Sequence, residues 1–84
     1  MTDLTDRERA ILDFAGRWYR YAGKQEQDIR DLFDCSATRY FLTLNGLLDR
    51  AEALAYAPTT VNRLRRQRAQ RQAVRSARRL GVAL

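Results

Sequence analysis

Gln27-Asp28-Ile29-Arg30-Asp31-Leu32-Phe33-Asp34-Cys35-Ser36-Ala37-Thr38-Arg39-Tyr40-Phe41-Leu42-Thr43-Leu44 holds two apolar-periodic runs separated by three residues that break the pattern. Ile29, Leu32 and Phe33 carry the first run inward, and Tyr40, Phe41, Leu44, Leu47 and Leu48 carry the second. Asp34 tolerates left-handed backbone and Ser36 is a strong N-cap, so helices are expected over about 25–33 and about 37–48. Two short helices crossing through a tight turn make a helix-turn-helix, which demands apolar residues at set offsets. Ile29 and Phe33 fit the first helix, Cys35 plugs the turn as a small apolar residue, and Tyr40 and Leu44 fit the second. Asp34 stands where that motif usually has Gly, and Arg30 where a small residue is usual. The competing reading is a plain three-helix bundle whose third helix is merely polar outside.

In the helix-turn-helix reading, the N-terminal half of the third helix enters the DNA major groove. Its outward residues are then Ala37, Thr38, Arg39, Leu42 and Thr43. Arg39 can bond guanine O6 and N7 together, and Ala37 or Thr38 can touch a thymine methyl. A bidentate guanine contact is worth about 1–3 kcal/mol of discrimination. Ser36 and the first amides of that helix can hold a phosphate, because a helix N-terminus attracts anions.

Upstream, Thr5-Asp6-Arg7-Glu8 is a capping box. Ile11, Phe14, Ala15, Trp18, Tyr21 and Ala22 follow at helical spacing, so a first helix is expected over about 6–22, with Trp18 in the core and Gly23 as its stop. Downstream, a short helical turn from Asp49 to Ala57 is expected to stop at Pro58. Thr59 or Thr60 would cap a last helix that runs to about Leu80 before Gly81. No strand signal appears, which makes the fold all-α. The expected division is a helix-turn-helix core over 1–58 and a basic helix over 59–84, docked at its start by Val61 and Leu64 and poorly ordered at its far end.

Charge is the most informative feature of the composition. The formal net charge is +6, yet residues 1–57 hold eight Lys or Arg against ten Asp or Glu, while 58–84 hold eight Arg and no acid. Those eight are Arg63, Arg65, Arg66, Arg68, Arg71, Arg75, Arg78 and Arg79, and a block so one-sided calls for a polyanionic partner. If about five of them met phosphates, log K against log salt would slope near −4.5, at ~0.9 per phosphate. A membrane surface fits less well, because the bulky apolar face of an interfacial helix is missing.

Other classes are disfavoured by what the chain lacks. Histidine is absent and Cys35 is the only cysteine, which removes the commonest general base, the commonest zinc ligand and any intrachain disulfide. Neither an enzyme nor a cofactor is expected. No signal-peptide layout or membrane-length apolar run is present, so the expected location is cytoplasmic and nucleoid-associated. At 84 residues, one domain is expected.

The run Thr5-Asp6-Arg7-Glu8-Arg9-Ala10-Ile11-Leu12-Asp13-Phe14, the run Ser36-Ala37-Thr38-Arg39-Tyr40 and Leu64-Arg65-Arg66 resemble a small family from actinobacteria and their phages. That family is catalogued as a domain of unknown function and labelled helix-turn-helix, and the resemblance covers nearly the whole chain. It implies an actinobacterial or actinophage source and DNA binding, without a target. Cys35 departs from the larger apolar residue usual there, and Ala51 from Pro.

Together these readings point to a double-stranded DNA-binding transcriptional regulator. The alternatives are a module docking on RNA polymerase or a sigma factor, and a sequence-indifferent nucleoid or RNA-binding protein. No exposed aromatic platform is evident, which argues against RNA. A homodimer would suit a palindromic site, although no dimer surface is legible.

Overall fold

The computed structural model describes residues 3–79. They form five helices in chain order: α1 Asp6–Ala15, α2 Ala22–Phe33, α3 Ala37–Leu47, α4 Ala51–Tyr56 and α5 Pro58–Arg79. No strand occurs among the described residues, so the protein is all-α. The expected end of the last helix at Leu80 and Gly81 lies outside the described residues.

The capping box closes as its spacing demands. Thr5 Oγ1 accepts the Glu8 amide at 3.0 Å, and Glu8 Oε1 accepts the Thr5 amide at 2.8 Å. α1 then ends at Ala15, seven residues short of expectation. The Gly16 and Arg17 amides turn back to the carbonyls of Asp13 and Phe14, tightening the last turn and halting the helix. The break lets Tyr19 fold back, so that its ring lies 5.5 Å from Phe14 and its hydroxyl donates to Asp28 at 2.6 Å. A continuous helix would rotate Tyr19 about 140° away from Phe14. Trp18 is consequently 82% exposed rather than core, and Gly23 lies inside α2 rather than ending α1.

α2 begins three residues earlier than expected and buries Ile29 and Phe33 one turn apart, which leaves Leu32 exposed beside the stripe. Asp34 takes the left-handed conformation at φ 53° and ψ 43°, the service for which a turn here would favour Gly. Ser36 Oγ then accepts the Arg39 amide at 3.1 Å and starts α3. α3 buries Tyr40, Leu44 and Leu47, and Leu48 is buried just beyond its end. Phe41, about 100° around the helix from Tyr40, is exposed instead of inward, its ring packed edge-on against Tyr40 at 5.1 Å.

The centre of the core is aromatic. Phe14, Phe33 and Tyr40 meet pairwise with centroids 5.4–5.6 Å apart, the range of tilted and edge-to-face packing. The Tyr40 hydroxyl donates to the Ile11 carbonyl at 2.9 Å, and burial pushes its phenol pKa well up, so it stays neutral.

Pro58 opens α5 rather than merely closing what precedes it, because at a first helical position its missing N–H is not needed. Neither Thr59 nor Thr60 therefore serves as the cap; both lie within the helix. Val61 is fully buried and Leu64 packs partly buried against the core, so the start of α5 belongs to the same hydrophobic cluster as α1 to α4.

Candidate nucleic-acid interface

Two surfaces carry the residues that the sequence singles out. The first is the N-terminal half of α3. Thr38, Arg39, Leu42 and Thr43 are exposed there, and Leu42 is 65% accessible. The Arg39 guanidinium makes no hydrogen bond or ion pair among the described residues. Thr43 donates its hydroxyl to the Arg39 carbonyl at 3.0 Å, keeping its oxygen as an acceptor. Ala37 is half-buried against the core and is the least available of the five. Ser36 Oγ is already accepting the Arg39 amide, so its remaining capacity is to donate.

The second surface is α5, and its eight arginines divide into two groups. Arg63 Nη2 donates to the Ala15 carbonyl at 2.9 Å, and Arg65 Nε donates to the Leu48 carbonyl at 2.6 Å. These are terminal carbonyls of α1 and α3, where unsatisfied acceptors and the negative end of the helix dipole both favour a cation. Arg7 does the same for α2, donating to the Phe33 carbonyl at 2.7 Å. Arg68 bonds Asn45 Oδ1 at 3.2 Å and Asp49 Oδ1 at 2.7 Å; its guanidinium holds the Asp49 carboxyl below the usual range. Arg63, Arg65 and Arg68 are thus engaged inside the fold.

Arg66, Arg71, Arg75, Arg78 and Arg79 are exposed and make no hydrogen bond or ion pair among the described residues. Arg71, Arg75 and Arg78 share one shallow groove with Gln67, Gln70 and Val74, so the stripe lies along a single side of the helix. The last acidic residue in the chain is Glu52, which leaves this stripe uncompensated.

The family described as "Protein of unknown function (DUF3263)" matches residues 3–76. The chain belongs to that family. No curated protein and no solved structure matches it. Family membership agrees with the resemblance carried by the Thr5–Phe14, Ser36–Tyr40 and Leu64–Arg66 runs.

Sequence reasoning missed two features. The docking of Arg63, Arg65 and Arg68 depends on which helix ends approach α5, and spacing along one helix does not encode that. The exposure of Trp18 and Tyr21, at 82% and 65%, was hidden by their accidental agreement with helical spacing. Gly16, directly after Phe14 and Ala15, was the available signal for the break.

Proposed function

We propose that the protein binds double-stranded DNA as a helix-turn-helix regulator of transcription, acting by binding rather than by catalysis. In this reading α3 enters the major groove, with Arg39 the principal base reader and Thr38, Leu42 and Thr43 beside it. The exposed arginines of α5 take the phosphates. An actinobacterial or actinophage source and a nucleoid-associated cytoplasmic location belong to the same proposal.

The observation that carries the reading is the uncompensated row Arg71, Arg75, Arg78 and Arg79 on a helix whose base is fixed to the body by Val61. A row of cations held at helical spacing on an anchored rod fits a duplex backbone, and its cost in self-repulsion is relieved when phosphates arrive. The left-handed Asp34 and the capped start of α3 add support, since they supply the tight turn that the motif needs.

Titration of labelled random-sequence duplex at several salt concentrations tests the backbone contacts: the expected slope of log K against log salt is near −4.5, for about five phosphates at ~0.9 each. Selection from a random duplex pool tests base reading. Arg39→Ala should erode the preference for selected over random duplex by about 1–3 kcal/mol while changing non-specific affinity less. Absence of any duplex binding at moderate salt overturns the proposal.

One observation favours a second reading, docking on RNA polymerase or a sigma factor: Leu32, Phe41 and Leu42 are all large, apolar and exposed. Retention of a polymerase or sigma-factor complex after the α5 arginines are neutralised would favour it.

A further inference from the structure

The connection between α1 and α2 presents an unusual surface. Trp18 is 82% exposed and Tyr21 65% exposed, although a small domain gains from burying rings of that size. The segment is nevertheless held in place. Tyr19 sits between them, half-buried, with its ring on Phe14 and its hydroxyl on Asp28 at 2.6 Å. The Arg17 amide donates to the Phe14 carbonyl at 3.0 Å, and the Gln25 amide to the Tyr21 carbonyl at 3.3 Å. Trp18 and Tyr21 therefore face water from a pinned backbone rather than from a free end.

The segment's own sequence is cationic, with the Asp28 carboxylate of α2 reaching in to Tyr19 and Lys24. Between Asp13 and Glu26 the chain has Arg17, Arg20 and Lys24 and no acid. The Arg20 guanidinium lies 5.5 Å from the Tyr21 ring centroid and that of Arg17 lies 5.2 Å from Phe14. Neither makes a hydrogen bond or ion pair among the described residues, whereas Lys24 pairs with Asp28 at 3.0 Å. The exposed Trp18 ring, the face of Tyr21 away from Arg20 and two guanidinium groups without a hydrogen bond or ion pair among the described residues suit a ligand that combines phosphates with unstacked aromatic rings.

We infer that Trp18 and Tyr21, with Arg17 and Arg20, form a stacking site for the unpaired bases of single-stranded nucleic acid. Bases within a duplex stack on one another and leave no face for an indole, so the ligand must be unpaired. A lipid surface fits less well, because the first turns of α2 that adjoin the loop expose Gly23, Lys24, Glu26 and Gln27 rather than a broad apolar face. The site uses no residue of α3 or α5, although Tyr19 beside it packs on Phe14, which in turn packs on Tyr40 of α3. The inference does not rest on duplex binding by α3 and α5.

Trp18 is the only tryptophan in the chain, so intrinsic emission reports this site alone. The full-length protein is titrated with a 12-nucleotide oligothymidylate, a duplex of equal length and phosphatidylserine vesicles. Saturable quenching by the oligothymidylate is expected. Trp18→Ala and Tyr21→Ala, followed by anisotropy of a labelled strand, should each lose about 5- to 150-fold in single-strand affinity, as stacking on one ring predicts. Duplex affinity should change less than about twofold, and circular dichroism should be unchanged because both rings lie outside the core. Absence of quenching overturns the inference, as does an equal loss of duplex and single-strand affinity in Trp18→Ala. A shift of Trp18 emission by vesicles but not by the oligothymidylate overturns it as well. Failure of duplex binding with quenching intact would sink the regulator reading and leave this site standing.

Discussion

α5 is one uninterrupted helix, yet residues 58–68 and 69–79 do different work with the same residue type. In the first stretch Val61 enters the core, and Arg63, Arg65 and Arg68 reach carbonyl or carboxylate acceptors on α1, at the end of α3 and just beyond it. In the second, Arg71, Arg75, Arg78 and Arg79 make no hydrogen bond or ion pair among the described residues. The difference lies in the neighbours. A guanidinium beside a helix C-terminus serves the fold, and one in open water is left available for an anion from outside. A count of arginines conflates the two.

The sharpest way to break this comparison is truncation. Removal of 59–84 takes Val61 and Leu64 out of the core and should abolish cooperative thermal unfolding, whereas removal of 69–84 should leave the melt within a few degrees of the full chain. A stable 1–58 fragment would show that α5 is an appendage throughout. Next in size, converting Arg71, Arg75, Arg78 and Arg79 to Gln should flatten the salt slope for random duplex from near −4.5 to about −1, with the melting temperature unchanged or raised. Arg65→Ala should do the reverse: about 1–2 kcal/mol of stability lost with the Leu48 carbonyl unpaired, a fall of about 5–10 °C in melting temperature, and little change in salt slope.

The smallest effect concerns pH. Glu8 is held below the ordinary carboxylate range by the Thr5 amide, Asp28 by the Tyr19 hydroxyl and Lys24, and Asp49 by Arg68. Each has a folded pKa below its unfolded one, so its contribution is complete above the unfolded value and is lost as pH falls through the folded value. Stability should be flat from neutral pH down to about 5 and decline below about 4. Asp49→Asn should remove one share of that decline and, by freeing Arg68, steepen the duplex salt slope by at most ~0.9. An unchanged acid transition would mean that the Arg68–Asp49 pair is too solvated to matter.

Local signals were legible because their physics is local. The capping box at Thr5 and Glu8, the left-handed turn at Asp34, the Ser36 cap and the stripe of Tyr40, Leu44 and Leu47 all follow from spacing within a few residues. What failed was arbitration between neighbours with equal claims. Trp18 and Tyr21 suit a continued helix as well as an open loop, and the tightened turn at Gly16 with the pull of Tyr19 back onto Phe14 and Asp28 decides against the helix. Leu32 and Phe41 sit one residue from true core positions, where hydrophobicity alone does not say which of two adjacent side chains faces inward. At the candidate site the cationic stripe was visible and the engagement of Arg63, Arg65 and Arg68 was not, because that depends on contacts 17–48 residues apart in sequence.

Those long-range contacts also set an order of events during synthesis. α1 emerges from the ribosome first, but its final carbonyl waits for Arg63 and its hydrophobic neighbours wait for Val61. The nascent chain therefore cannot complete its interior until the first two turns of α5 have been translated, and chains released before that point would lack the piece that closes it.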